Sequence, residues 1–367
     1  VFKFFKNAGV CAGVALLLSA CGGGSHGTSA LPPAGDGVHG TRTVGAQTIY
    51  TPPITPVDAT ANLGQITGGL DGNLYFAEAS PGTNCLTCSG RISKLTTGGS
   101  ITSYGLPNYF DANNNAYPVY PFAAFTGADG KIYFLSSDGY FGFINTDGTS
   151  PTIYSLRQLG SDTSGTFTNL TQGGDGNFYV AETSPDRVIK MTSGGTASLF
   201  TSLTSGANVG SILYNSDGNF WATERGLGKI AKITSSGSVT EYDAVSGGGY
   251  NPLDIFSDGS NLWYTAQVAS GTTMKVVEMA TSGSIAKTIS VTASPSGEGA
   301  LSPQGGTFVW TVNDNISRVN RSTSAVNDYT LTNSDPGTVL EGLTVGSDGN
   351  LWFTDRAHNK IVKVSKN

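Results

Sequence analysis

The chain has 367 residues, 38% of them hydrophobic and only 13% charged, with 51 glycines. That composition supplies a sizeable core and suits an all-β protein of many short strands, and no run of 3.6-residue periodicity survives beyond the extreme N-terminus. The formal net charge of −6 becomes −8 once the first twenty residues, with Lys3 and Lys6 and no acid, are set aside, which excludes the basic footprint of a nucleic-acid binder.

In chain order, Lys3 and Lys6 form a basic start and residues 10–18 a short apolar run. The run is too short to span a bilayer and reads as a signal peptide over residues 1–20. Leu18, Ser19, Ala20 and Cys21 resemble a bacterial lipobox, which implies cleavage before Cys21 and lipidation of that residue. The partner at this end is then a membrane. Gly22 in place of Asp resembles the sorting signal for the outer membrane of a Gram-negative envelope, facing the periplasm or the surface. Residues 21–44, with His26 and His39, are rich in Gly, Ser, Thr, Pro and Ala and read as a flexible tether.

From residue 45 the chain repeats. Seven turns, at Asp71-Gly72, Asp129-Gly130, Asp175-Gly176, Asp217-Gly218, Asp258-Gly259, Gly305-Gly306 and Asp348-Gly349, each lead into an apolar-aromatic strand. A tight turn between two apolar runs is a hairpin signal, and seven of them in series point to an array of four-stranded units. Third strands such as residues 91–95 and 229–233 follow, and outer strands carry Tyr104, Tyr154, Phe200, Tyr242, Ile289 and Tyr329. The seventh outer strand is missing at the C-terminus, while residues 47–52 match its pattern at the other end. The prediction is a seven-bladed β-propeller over residues 45–367, its ring closed by the N-terminal strand completing the last blade. Variable loops then gather on one face, where function concentrates.

Second strands end in Glu78, Glu182, Glu224 and Asp355, which could form a carboxylate ring for a divalent cation. The competing reading, which we favour, pairs them structurally with Arg187, Arg225 or Arg356; Arg225 and Arg356 are also candidate ligand contacts. Cys85 and Cys88 behind a secretion signal read first as a short disulfide, with a redox pair as the alternative. The insert of residues 108–118 places Asp111, Asn113 and Asn115 as in a calcium loop but lacks its Gly and distal Glu, so it reads as a solvated loop. Its Tyr109, Phe110 and Tyr117 are candidate ligand contacts. His358 is the one histidine expected inside the folded domain and a candidate catalytic base.

Residues 346–355 (Gly-Ser-Asp-Gly-Asn-Leu-Trp-Phe-Thr-Asp) and 217–224 (Asp-Gly-Asn-Phe-Trp-Ala-Thr-Glu), with the third strands after them, resemble the repeat of the virginiamycin B lyase family. The resemblance spans residues 45–367. It implies a propeller and an enzyme that opens the lactone of streptogramin B antibiotics by elimination, with a histidine base and a Mg2+ held by glutamates. The family places that base in a Pro-His-Gly-Ile stretch at the start of an inner strand. None of the equivalent stretches here contains histidine; Glu341 stands where it would, and Asp355 falls near a metal-binding glutamate.

The sequence therefore reads as a lipid-anchored, monomeric envelope propeller that binds a small molecule or protein on its variable face without catalysis. The alternative is a carbon–oxygen lyase using Glu341 or His358 with a divalent metal at Asp355 and its sister acids.

Overall fold

Six of the repeats fold around an Asp-Gly turn. In the computed structural model only the glycine of the turn is left-handed, at φ 78° for Gly218 and 73° for Gly349, a conformation without steric penalty only for glycine. The turn aspartate then gathers its surroundings. Asp71 accepts hydrogen bonds from the backbone and side-chain amides of Asn73, from the Tyr75 hydroxyl at 2.8 Å and from Lys94 Nζ at 2.9 Å. Asp175 does the same with Asn177, Tyr179 and Lys190, and Asp348 with Asn350, Trp352 and Lys363. Each lysine also lies over the aromatic ring, with Lys363 Nζ 4.9 Å from the Trp352 centroid and Lys94 Nζ 5.7 Å from that of Tyr75.

The structure describes residues 39–43, 47–50, 62–79, 89–159, 165–268, 273–292, 300–304, 308–313, 315–330 and 340–364, all within the unit Gly35–Asn367. They form an all-β propeller in which one 3-10 turn, Leu156–Leu159, is the only helical element among the described residues. Six sheets have four strands and one has five. The first sheet runs Leu63–Gly68, Leu74–Glu78, Arg91–Leu95 and Ile101–Gly105 from inside to outside. The third begins with Thr166–Gln172, Phe178–Thr183 and Arg187–Met191, and the fourth is Val209–Tyr214, Phe220–Glu224, Lys229–Ile233 and Val239–Asp243. The last sheet takes Leu340–Val345, Leu351–Asp355 and Lys360–Val364 and adds Gln47–Tyr50 antiparallel on its outer edge, as the N-terminal pattern predicts.

The core lies between sheets rather than within them. Second-strand aromatics are wedges: Tyr133 meets Phe178 at 4.2 Å between ring centroids, Tyr179 meets Phe220 at 4.1 Å, and Trp221, Trp263 and Trp352 are fully buried. Inner strands lie side by side, Leu63–Gly68 between Pro121–Thr126 and Leu340–Val345. Hydroxyls stitch neighbours together, as where Thr354 Oγ1 donates to the Gly64 carbonyl at 2.8 Å and Ser347 Oγ to that of Gly72 at 2.6 Å.

One expectation is corrected and one is refined. The tether predicted for residues 21–44 ends early, because His39–Thr43 is a strand paired in parallel with Val326–Thr330 and makes the sixth sheet five-stranded. An outer strand presents unpaired backbone groups, and a segment holding two threonines can cover them despite its glycine. The insert of residues 108–118, expected as a solvated loop, is largely exposed and carries a small hairpin, Tyr109–Phe110 against Ala116–Tyr117. Asp111 builds its turn by accepting from the backbone of Asn113 and Asn115 and from the Asn115 side chain. These bonds use the oxygens that a calcium loop would offer.

Burial alone would raise the carboxyl of Asp71 or Asp348, yet bonds from lysine, asparagine and the ring partner outweigh it and hold each at about 2, below the usual 3.8. A depressed folded-state value adds stability above the unfolded value, and that stability is lost as pH falls through the folded one. Thermal unfolding midpoints should therefore drop between about pH 4 and pH 2. Asp348→Asn, measured the same way, should cost about 1 kcal/mol at neutral pH and show a smaller acid decline than the parent.

Candidate functional site

The acids that end the second strands face the first residue of the third strand: Glu78 opposes Arg91, Glu182 opposes Arg187, Glu224 opposes Lys229 and Asp355 opposes Lys360. In the first and third sheets the pair closes. Arg91 Nη2 lies 2.7 Å from Glu78 and Arg187 Nε 2.5 Å from Glu182, with both glutamates buried and the arginines reaching them from the rim, 18% and 16% exposed. Ser93 also donates to Glu78. Asp355 instead holds His358 Nδ1 at 2.8 Å, across the turn that precedes the third strand.

Glu224 differs from all three. It is fully buried, and neither of its oxygens has a hydrogen-bond partner. Lys229 Nζ is diverted to Glu241 Oε2 at 3.0 Å, and the Thr204 hydroxyl donates to the same Glu241 carboxylate. Asp186, in the turn of the third sheet, accepts from the Gly206 amide through Oδ2 at 2.9 Å, while its Oδ1 is buried without a partner. Burial, then the nearby charge of Glu241, then that of Asp186 push the Glu224 carboxyl up to about 7 against the opposing pull of Lys229. Sequence reasoning named Glu224 but missed Asp186 and Glu241. The signal available was the lysine that stands at 229 where the sister repeats have Arg91 and Arg187.

Inner strands carry an irregularity near their start, between Leu63 and Ile66, Val209 and Ile212, Pro252 and Ile255, and Leu340 and Leu343. Glu341 stands in the last of these. Asp254, which the sequence reading passed over, stands in another and accepts a hydrogen bond from Ser211 Oγ at 2.9 Å. Beside that strand Arg225 packs over Gly210, where a Cβ would come within 2.4 Å of Nε and displace the guanidinium. Arg356 is exposed in the same turn as His358.

The aromatic hairpin sits between the first and second sheets. Tyr109 is half-buried against Tyr140 at 5.1 Å, while Phe110 and Tyr117 are 55% and 40% exposed. Tyr109 thus anchors two rings that face outward. Cys21, Cys85 and Cys88 lie outside the described residues.

Among the described residues no three acids, histidines or cysteines converge to hold an ion. The described carboxylates do not fit the magnesium site that the repeat implies. Glu78 and Glu182 give their oxygens to arginines, Asp355 to a histidine, and Glu224 belongs to another sheet.

A family model described as the virginiamycin B lyase family matches residues 42–296. No curated protein matches the chain in sequence. Among solved structures, a streptogramin B lyase is 22% identical with a TM-score of 0.70, over 88% of this chain and 98% of its own. Selenomethionine virginiamycin B lyase from Staphylococcus aureus is 20% identical with a TM-score of 0.68, over 88% and 99%. A catalytically inactive form of that enzyme with quinupristin gives 21%, 0.69, 88% and 100%. At these identities the likeness is one of fold.

The raised carboxyl of Glu224, set among Glu241, Asp186 and Lys229, has a measurable signature. The folded protein keeps a proton that the unfolded chain releases near pH 4.5, so this residue's contribution to stability falls as pH rises from about 4.5 to about 7 and is flat above. In Glu224→Gln that slope should vanish, and the thermal midpoint near pH 8 should exceed the parent's. An equal slope in both proteins between about pH 5 and pH 8 would refute the assignment.

Proposed function

The chain belongs to the virginiamycin B lyase family, and we propose that it is a seven-bladed, ring-closed envelope propeller that binds a ligand without catalysing a reaction. In this reading a lipid on Cys21 anchors a monomer to the membrane. The five-stranded sheet is a blade with one strand added, and Gln47–Tyr50 in the last sheet closes the ring. Two observations support closure: Leu340–Val345 lies beside Leu63–Gly68, and the hydroxyls of Thr354 and Ser347 bond to the first sheet.

The observation that carries the binding role is the hairpin of residues 109–117, with its two outward rings on an anchored third. Large rings held in place contribute contact area at little entropic loss, which is what a recognition surface needs. Against the family's own chemistry stands the absence of histidine from every inner-strand start, where Glu341 takes its place in the last repeat.

One observation favours the lyase alternative. Asp355 fixes Nδ1 of His358, which leaves Nε2 able to accept a proton, the arrangement of a histidine base oriented by a carboxylate. It lies in a turn rather than an inner strand.

Incubation of the full chain with a streptogramin B depsipeptide and magnesium separates the readings. The binding reading expects the antibiotic to emerge from chromatography unaltered. A new species of unchanged mass would mean elimination and overturn it; loss of that species in His358→Gln would then place the base. If the antibiotic is intact, replacing Tyr109, Phe110 and Tyr117 with alanine should abolish capture of the envelope ligand by the immobilised protein, and undiminished capture would remove the hairpin from the site.

A further inference from the structure

Four repeats place an acid at the end of the second strand, and their comparison isolates one unfilled position. In the first and third sheets the register opposite that acid is arginine, and its guanidinium closes on a glutamate with no more than 1% of its side chain exposed. In the fourth sheet the opposing residue is Lys229, whose ammonium is spent on Glu241. Both oxygens of Glu224 are left bare, with the bare Oδ1 of Asp186 across the junction from the third sheet. Glu224 thus has two acids, Glu241 and Asp186, and one cation, Lys229, as charged neighbours, and Glu224 and Asp186 hold orphaned oxygens out of water, a condition that proteins seldom leave unmet.

We propose that this junction binds a guanidinium group from outside the chain, an arginine side chain of a peptide or protein docking between the third and fourth sheets. Arginine rather than lysine follows from the geometry. Its planar fork can give two parallel hydrogen bonds to one carboxylate, whereas the compact ammonium already present at this register turns away to Glu241. The approach is also set. Arg91 and Arg187 reach their buried glutamates from the rim while 18% and 16% exposed, so a side chain arriving from solvent over Asp186 and Glu241 can take the same course. Asp186 and Glu241 are both partly exposed and form the acidic mouth. This site goes beyond the aromatic hairpin, lies in a different pair of sheets and does not depend on it.

The probe is a blocked tripeptide, acetyl-Gly-Arg-Gly-amide, titrated into the full chain at constant ionic strength, with the lysine counterpart as control. Thermal unfolding and calorimetry give the readouts. The arginine peptide should raise the midpoint by several degrees at millimolar concentration, and the lysine peptide should bind at least tenfold more weakly. Glu224→Gln should lose the response. Lys229→Arg should fill the position from within, melt higher than the parent without peptide and no longer respond. This second variant decides the matter if the first fails to fold. Equal responses to both peptides, a response retained in Lys229→Arg, or no response in the parent would overturn the proposal. So would a rise with calcium or magnesium chloride and none with the arginine peptide, which would make the junction a metal site instead.

Discussion

The structure depends on one constraint, the turn aspartate that holds an aromatic ring by its polar edge. Asp71, Asp175 and Asp348 each bind the hydroxyl or indole N–H of the residue four positions on, while a lysine from the third strand closes over the ring. The energies are unequal. Full burial of such a ring contributes about 3 kcal/mol, and a partly exposed ion pair about 1 kcal/mol at most. The aspartate therefore acts mainly by position: it fixes the rotamer of a wedge on which the neighbouring sheet packs. Because the wedge is shared between sheets, no repeat has a complete core of its own.

That logic explains what could be read from the chain alone. The Asp-Gly turn, the alternating aromatic strand and the displaced strand at residues 47–50 are local or periodic signals, and the four-stranded sheets follow them. The added strand at residues 39–43 was not legible, because its neighbours in sequence are those of a tether and its partner is nearly 290 residues away. The hairpin at residues 109–117 was half legible: its aromatics were apparent, but the Asx-type turn at Asp111 competes with a calcium-loop pattern built from the same residue types. For the acids, the repeat position was visible and the pairing was not. Register decides which third-strand residue faces each carboxylate, and Arg91 had no separate mark in the sequence.

The repeats have diverged where chemistry is possible and not where the fold is held. Each turn aspartate holds the ring four or five residues on, although its cation varies from a third-strand lysine to Lys131 and Arg321. The second-strand acids meet an arginine twice, a histidine once and nothing once. A repeat protein can vary such positions singly because each is supported by its own sheet, so differences between sister sites are informative in a way that a single site is not.

The strand at residues 39–43 also has a mechanical meaning. It precedes Gln47–Tyr50 in the chain, and the two are laid on the outer edges of adjacent sheets. A load applied upstream of residue 39 must strip the five parallel pairs on Val326–Thr330 before any tension reaches the strand that completes the last sheet. The added strand thus takes up such a load ahead of Gln47–Tyr50.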